Sequence, residues 1–98
     1  MKIAVSIPAY NEEKSLPAVL AQVKQVMQQL GEPFTITVVN DGSTDRTAEI
    51  AKKAGAMVHA HPTNYGLAET FRTEIKHFLK SDADVFVHID ADGQYNPE

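Results

Sequence analysis

Two aspartates that stand two residues apart, Asp90 and Asp92, are the part of this chain whose residue types point most directly to chemistry. They follow an apolar run at residues 85–89, which is typical of a buried strand. Carboxylates this close repel each other unless a cation or a donor-rich ligand lies between them. Oxygen ligands suit Mg²⁺ or Mn²⁺, which keep positions open for phosphate oxygens. The pair therefore indicates a metal-bridged nucleotide diphosphate, although Asp and Gly also end strands in ordinary turns.

The composition indicates a single globular domain over residues 1–98 and argues against several classes of function. The net charge is −4 with no basic run, which argues against a nucleic-acid-binding surface. Cysteine is absent, so a disulfide framework and a thiolate metal site are excluded. The apolar run at residues 3–7 is too short for a signal peptide, and no run approaches the ~20 apolar residues of a membrane span. We expect a cytoplasmic protein, at the cytoplasmic membrane face if a longer parent protein carries it.

Short apolar runs alternate with segments of helical period. We predict strands at residues 3–7, 34–39, 57–60 and 85–89, with Pro8 ending the first and a turn at residues 40–43 ending the second. This alternation predicts an α/β fold: a Rossmann-like, three-layer α/β/α arrangement around a mostly parallel sheet of about four strands. Right-handed crossovers favour the strand order 3-2-1-4. The order then reverses between strands one and four, where open α/β sheets bind ligands in a crevice.

Three helices are expected between these strands. The first begins at Ser15, tolerates Pro17 in its first turn and ends at Gly31. The second is capped by one of residues 43–45 and reaches about Ala54, and the third follows residues 64–66. The apolar positions predicted to face the core are Leu16, Val19, Leu20, Val23, Val26, Met27 and Leu30 in the first helix, and Leu67, Phe71, Ile75, Phe78 and Leu79 in the third.

Polar residues from three separate segments fall at the predicted crevice. Tyr10 and Glu12 follow the first strand, Asp41 follows the second, and Asp90 and Asp92 follow the fourth. Because the carboxyl ends of parallel strands meet at one edge of a sheet, we expect these side chains to converge. This convergence weighs against Asp90 and Asp92 being turn residues alone.

Four motifs carry a resemblance to a known family. They are Ile-Pro-Ala-Tyr-Asn-Glu-Glu at 7–13, Val-Val-Asn-Asp-Gly-Ser-Thr-Asp-Arg-Thr at 38–47, Asn-Tyr-Gly-Leu-Ala at 64–68 and Asp-Ala-Asp-Gly-Gln at 90–94. In this order and spacing the chain resembles family 2 glycosyltransferases, which have the GT-A fold, and most of all their dolichyl-phosphate mannosyltransferase-like branch. The resemblance covers essentially the whole chain. It implies the donor-binding half of an enzyme that transfers a sugar from a nucleotide-diphosphate sugar.

The resemblance implies a nucleoside pocket. Pro8, Tyr10 and Glu12 would line the base and ribose, with Tyr10 packed on the base, and Asp41 would accept a hydrogen bond from the base. Each residue also has an ordinary structural interpretation. Tyr10 could be a half-buried packing residue, Glu12 a first-turn acid, and Asp41 part of a turn and helix cap.

The resemblance also implies a phosphate and metal site. Asp90 would contact both the ribose and a Mg²⁺ or Mn²⁺ ion, Asp92 would bind the metal, and Gln94 would bind metal or phosphate. The loop that contains Asn64 and Gly66 precedes a helix, where backbone amides can approach phosphate. The donor would be a UDP- or GDP-sugar, and the acceptor is unknown, a lipid phosphate being common in the nearest branch.

Three histidines and one arginine are further candidate ligands. His88 stands among apolar residues and is expected to be a hydrogen-bonded core residue rather than a ligand. His59 and His61 are expected to lie in a loop without a third ligand. Arg72 could reach phosphate but is expected to be a solvated helix residue.

The chain departs from the family pattern in three places. Asn40 replaces a common Asp, and Glu74 replaces a common Gly, which puts close packing of the third helix in doubt. The sequence ends at Glu98, where family members continue into the acceptor site, so the acceptor half is expected to be missing. The fourth strand would then be an exposed edge, and we expect homo-oligomers through it.

Two other classes of protein remain as alternatives to an active transferase. One is a non-catalytic module that binds nucleotide sugars. The other is a haloacid-dehalogenase-type phosphatase, which usually has Thr after the Gly of its Asp-x-Asp-Gly motif, where Gln94 stands here. A nicotinamide-binding Rossmann domain is less favoured still, since no Gly-x-Gly-x-x-Gly follows the first strand.

Overall fold

The structure is a computed structural model that describes residues 1–91 of the chain. Within this part, strands and helices alternate as the sequence predicts. In chain order they are β1 (Ile3–Ala9), α1 (Leu16–Leu30), β2 (Phe34–Asp41), α2 (Thr47–Lys53), β3 (Met57–His61), α3 (Leu67–Lys80) and β4 (Val85–His88). No helix among residues 1–91 has the length and apolar character that a bilayer crossing requires.

The four strands pair in parallel in the order β3-β2-β1-β4, which confirms the predicted topology. β1 is central, with Ile3 opposite Phe34 of β2 on one side and Val85 of β4 on the other. The first two crossovers run in one direction across the sheet and the third returns. Right-handed crossovers therefore place α1 and α2 on one face and α3 on the other.

The main core lies between the sheet and the α1 face. Ile7, Val38, Leu16 and Leu20 are almost completely buried there. Each such side chain stabilises the fold by about 2 kcal/mol relative to its exposed state. This core fixes the carboxyl ends of β1 and β2 against the start of α1.

The first helix follows the prediction closely at both ends. Ser15 is its N-cap, Pro17 lies in the first turn, and Gly31 closes it in a left-handed conformation with φ of 74°. Val26 and Leu30 were predicted to be buried, which is wrong, since they are 45% and 57% exposed. Val26 lies at the margin of the helix's apolar stripe, and Leu30 is the last helical residue.

Pro8 does not end the first strand, contrary to prediction, because β1 continues to Ala9. Pro8 pairs with Val39 of β2. The Ile3 amide donates to the Pro33 carbonyl on the β2 side, so alternation along the strand turns the nitrogen of Pro8 toward β4. β4 stops pairing with β1 at Ser6, and the hydrogen that proline lacks is therefore not needed for the ladder.

The second and third strands are also longer than predicted. β2 includes Asn40 and Asp41, which were predicted to form a turn, and β3 includes His61. Asp41 and His61 are paired in the register of the two strands, and their side chains hydrogen-bond to each other. A polar pair therefore extends the sheet where polarity alone predicted a turn.

Neither of the later helices matches its prediction fully. α2 has Arg46 at its N-cap rather than one of residues 43–45. In α3, the predicted apolar face is wrong for Leu67, Phe71 and Leu79, which are 76%, 47% and 73% exposed. The helix instead buries the polar residues Thr70 and Glu74, because the sheet face beneath it carries polar partners.

Candidate functional site

A cleft of about 380 Å³ opens at the carboxyl ends of the strands. It is lined from the end of β1, the end of β2, the start of α3 and the segment after β4. This is the place where the strand order reverses and where open α/β sheets bind ligands. The cleft brings together all seven residues predicted to bind a nucleotide sugar: Pro8, Tyr10, Glu12, Asp41, Asn64, Gly66 and Asp90.

Tyr10 presents an open aromatic surface to the cleft. Tyr10 is 46% exposed, so part of its ring does not pack against the protein and is open to a ligand. The next residue, Asn11, has a φ of 53°, which is uncommon outside glycine. This left-handed turn ends β1 and directs the chain across the cleft mouth toward α1.

Hydrogen bonds from the segment before α2 hold this turn in place. The Asn11 amide donates to Ser43 Oγ at 2.9 Å, and the Asn11 side-chain oxygen accepts from the Thr44 amide at 2.8 Å. The Glu12 amide donates to Thr47 Oγ1 at 2.9 Å. Residues 43–47, predicted to be only a turn and cap, therefore also position the residues that line the cleft.

Asp45 is the main acceptor in this segment. Its carboxylate accepts from the Thr47 amide at 3.0 Å, from Thr47 Oγ1 at 2.5 Å and from the Glu13 amide at 3.3 Å. Burial raises the pKa of Asp45, but these hydrogen bonds to the ionised form outweigh burial and lower the pKa below its ordinary value. Asp45 is therefore ionised at neutral pH.

Asp41 lies at the base of the cleft and is only 5% exposed. Its Oδ1 accepts from the Tyr65 amide at 3.0 Å and contacts His61 Nδ1 at 2.7 Å. Its Oδ2 accepts from the Gly66 amide at 3.0 Å and from Asn64 Nδ2 at 3.1 Å. A carboxylate has about four acceptor positions, and all are used here. A contact between Asp41 and a base stays a prediction, and it would have to replace one of these bonds.

The network around Asp41 continues into α3. An ionised carboxylate only accepts, so Nδ1 of His61 carries a proton, and Nε2 lies 2.8 Å from Thr73 Oγ1. Burial raises the pKa of Asp41, but the bonds from His61, Tyr65 and Gly66 together lower it below 3.8. His59 and His61 were predicted to be loop residues, which is wrong, since both lie in β3 and His61 is also buried.

A second polar network reaches the cleft from beneath α3. Glu74 is 1% exposed, accepts from Ser6 Oγ of β1, and contacts His88 Nδ1 of β4 at 3.0 Å. His88 Nε2 lies 3.5 Å from Asp90 Oδ1. Burial raises the pKa of Glu74, while Ser6 and His88 act against that rise. His88 is hydrogen-bonded as predicted, although its side chain is 34% exposed rather than enclosed in the core.

Ser15 connects the exit of β4 to the start of α1. Its hydroxyl lies 3.1 Å from Glu12 Oε2 and also contacts the carbonyl of Ala91. Ser15 makes no side-chain bond to the helix it caps, so its hydroxyl serves the cleft wall. Arg72 pairs with Glu69 on the outer surface of α3 and is 73% exposed, as expected for a solvated helix residue.

Of the three predicted metal ligands, one lies within residues 1–91. Asp90 is at the cleft with its side chain 64% exposed, whereas Asp92 and Gln94 lie outside the described residues. Over residues 1–91, no cluster of three or more His, Cys, Asp or Glu side chains could hold a metal ion. The metal ligand set therefore stays a prediction.

Comparison with known proteins decides the family. A model of glycosyl transferase family 2 matches residues 4–98. The chain belongs to this family. The first two motifs, the loop at 64–66 and Asp90 are thus features of a family 2 glycosyltransferase chain, and their position around one cleft agrees with that assignment.

Relatives of this family 2 chain are much longer than it. It is 40% identical over 97 residues to an uncharacterized protein of Methanocaldococcus jannaschii, covering 99% of this chain and 38% of that one. It is 35% identical over 102 residues to undecaprenyl-phosphate 4-deoxy-4-formamido-L-arabinose transferase of Pectobacterium carotovorum, covering 98% and 30%. The chain therefore spans about a third of the length of these curated relatives.

Solved structures show the same fold. Mannosyl-3-phosphoglycerate synthase from Rubrobacter xylanophilus superposes with a TM-score of 0.80 at 19% identity, over 99% of this chain and 33% of that one. Glucosyl-3-phosphoglycerate synthase from Mycobacterium tuberculosis, in complex with Mn²⁺, UDP and glucosyl-3-phosphoglycerate, superposes with a TM-score of 0.73 at 27% identity, over 92% and 33%. The fold of this family 2 chain is thus the GT-A fold over part of its length.

Several residues of the site were missed by sequence reasoning. Thr70 lines the cleft, and Ser6 and Thr73 anchor the two polar networks. A signal was present, because Thr70 and Glu74 are four residues apart and so share one face of α3. Ser6 and His88 are likewise opposite each other in the β1–β4 register, which only the strand order reveals.

Proposed function

We propose that this chain is the donor-binding region of a glycosyltransferase, and that its cleft binds a UDP- or GDP-sugar together with Mg²⁺ or Mn²⁺. The observation that carries the proposal is the convergence of seven motif residues from four segments on one cleft. Tyr10 supplies an aromatic surface for a base. The amides of residues 65 and 66 donate to Asp41, so a phosphate at the start of α3 would have to replace those bonds. Stacking on an aromatic ring is worth ~1–3 kcal/mol per base.

The residues present fit a hard divalent ion. Asp90 offers an exposed carboxylate at the cleft, and Asp92 and Gln94 add oxygen donors four residues or fewer along the chain. When bound, such a metal neutralises the charge that develops on a departing nucleotide diphosphate. The chain's own residues bind and orient the nucleoside, with Glu12 held by Ser15 at the cleft wall.

The acceptor that we propose for the whole protein is a polyprenyl phosphate. The Pectobacterium relative is named for undecaprenyl phosphate, which supports this acceptor. Membership of the dolichyl-phosphate mannosyltransferase-like branch, a hexose as the transferred sugar and a place at the cytoplasmic membrane face belong to the same proposal. The side chain that deprotonates the acceptor is expected in the two thirds of the relatives that this chain does not span.

A non-catalytic module is the second candidate, since all seven motif residues at the cleft are ones proposed to bind the donor. Such a module binds the nucleotide sugar with the metal but transfers nothing. Binding without sugar transfer or donor hydrolysis by the 98-residue chain selects the module. Transfer to a polyprenyl phosphate by the chain alone selects the active enzyme and overturns the expectation that the acceptor half is missing.

The experiment is a calorimetric titration with UDP, GDP, UDP-glucose and GDP-mannose, each with and without Mn²⁺. We expect one base to bind in a Mn²⁺-dependent manner. Thermal unfolding of the same samples should show ~2.7 kcal/mol of stabilisation at a hundred times the dissociation constant. The variants Asp90→Asn and Asp92→Asn should lose the Mn²⁺ dependence.

Asp82→Asn is the matched control, because Asp82 lies at the opposite end of the sheet and pairs with Lys2. This variant should bind like the original chain. If neither base binds with Mn²⁺, or if Asp82→Asn weakens binding as much as Asp90→Asn does, the donor-site proposal is wrong.

A further inference from the structure

We propose that Glu74 and His88 are positioning residues that hold the carboxylate of Asp90 in the orientation the cleft requires. The inference rests on the proposed function, since it concerns the residue that would contact the donor and its metal. It goes beyond that function by assigning a role to two residues that do not line the cleft themselves.

Burial constrains the carboxylate of Glu74. Its side chain is fully enclosed between α3 and the sheet, where an unpartnered carboxylate would be strongly unfavourable. Both of its oxygens have partners: Ser6 Oγ donates to Oε2, and His88 Nδ1 lies 3.0 Å from Oε1. A side chain held by β1 on one oxygen and by β4 on the other has one orientation available.

The bond to Glu74 orients the His88 ring. With Nδ1 fixed by Glu74, the ring edge that carries Nε2 faces Asp90. Nε2 lies 3.5 Å from Asp90 Oδ1. Phe71 packs against the same ring with a centroid distance of 6.0 Å, which limits rotation of His88.

Asp90 would otherwise be free to rotate. It lies beyond the last residue of β4, its side chain is 64% exposed, and its Oδ1 lies 3.5 Å from His88 Nε2. Groups that position metal-binding side chains commonly change metal affinity by 10–100-fold when they are removed. His88 lies beside Asp90, and Glu74 holds His88.

Two substitutions at position 88 separate the contacts. His88→Asn places an amide where Nδ1 stands, so it keeps the bond to Glu74 and loses the reach to Asp90. His88→Gln places an amide where Nε2 stands, so it keeps the reach to Asp90. We expect His88→Asn to weaken Mn²⁺-dependent nucleotide binding about tenfold with an unchanged melting temperature, and His88→Gln to restore part of that affinity.

A double-mutant cycle tests whether the effect passes through Asp90. In an Asp90→Asn background, which should already have lost the Mn²⁺ dependence, His88→Asn should not weaken the nucleotide binding that remains. Additive losses in the cycle, or equal losses in the Asn and Gln variants, would mean that His88 acts on the fold alone, and the proposal would be overturned.

A ligand-free measurement keeps this test separate from that of the proposed function. The ¹³C signal of the Asp90 carboxyl group should shift and broaden in His88→Asn and in Glu74→Gln, but not in Asp82→Asn. If the original chain binds no nucleotide, the donor site fails while this signal still reports positioning. An Asp90 signal that does not respond to either variant overturns the positioning role.

Discussion

Asp41 is the residue on which most of the cleft floor depends. It accepts two backbone amides and two side-chain donors, which tie β2 to the loop before α3 and to the end of β3. Asp41→Asn would turn an amide group toward these donors. We expect it to destabilise the fold by about 3 kcal/mol, because a buried donor is then left without an acceptor. Urea unfolding followed by circular dichroism measures this, and Asp82→Asn, at an exposed position, should leave the curve in place.

The same variant gives a prediction about pH. The folded-state pKa of Asp41 is below 3.8, so its contribution to stability is fully present above about 3.8 and is lost as pH falls through the folded pKa. The difference in unfolding free energy between the original chain and Asp41→Asn should therefore be fully present at pH 7. It should shrink below pH 3.8, and a gap that widens there would contradict the assignment.

For single residues, the sequence predicts which ones lie at the cleft but not which hydrogen bonds each one makes. The positions of Tyr10, Asp41 and Asp90 follow from motif spacing and strand order, and all three line the cleft. The saturation of Asp41 could not be predicted, because it depends on how the loop at 64–66 folds back over β2. The partnership of Glu74 with His88 likewise depends on the seating of α3 on the sheet.

The loop at the end of β2 is the element most sensitive to added bulk. Gly42 has a φ of 75°, and a Cβ there would lie 2.3 Å from the carbonyl carbon of Thr63 and 2.5 Å from the amide nitrogen of Asn64. Both neighbours are backbone atoms and cannot rotate away. Gly42→Ala should therefore cost about 3 kcal/mol, from left-handed strain and overpacking together.

Gly31 offers a matched control for this prediction. Its φ of 74° is nearly identical, but a Cβ there would meet nothing within 4 Å. Gly31→Ala should cost only about 1 kcal/mol, which is the left-handed strain alone. Chemical denaturation of the two variants isolates the close approach of the loops, and equal losses would show that this approach does not matter.

The sequence predicts these elements well where apolar periodicity decides them. α1 and the four strands begin where their patterns begin. Two of the errors fall where a polar contact replaces an apolar one: at the Asp41–His61 pair, which lengthens two strands, and on α3, which buries Thr70 and Glu74. A pattern of hydrophobic residues carries no information about such pairs.

For the whole molecule, β4 has a partner strand on one side only among residues 1–91. The Ile89 amide donates to Ser6 of β1, so alternation points the amide of Phe86 away from β1. We predict that the chain self-associates through this edge. Phe86→Pro removes an outward donor and should remain monomeric in light scattering at high concentration.

Phe86→Ala is the control, because it removes the same ring but keeps the outward amide. It should associate as the original chain does. An original chain that stays strictly monomeric at high concentration would show that the β4 edge does not pair with another copy, and equal behaviour of the two variants would assign association to the ring instead.

The position of β4 beside β1 also determines the order in which the parts of the molecule can form during synthesis. β1, β2 and β3 are complete once residue 61 has been made, whereas the partner of β1 on its other side is residues 85–88. The β4 side of the central strand β1 therefore stays unpaired until more than twenty further residues have been made. Contacts this distant in sequence form late because chain closure opposes them. Since Asp90 and the bond from Ser15 to Ala91 come with β4, the cleft acquires its shape later than the sheet of β1, β2 and β3 does.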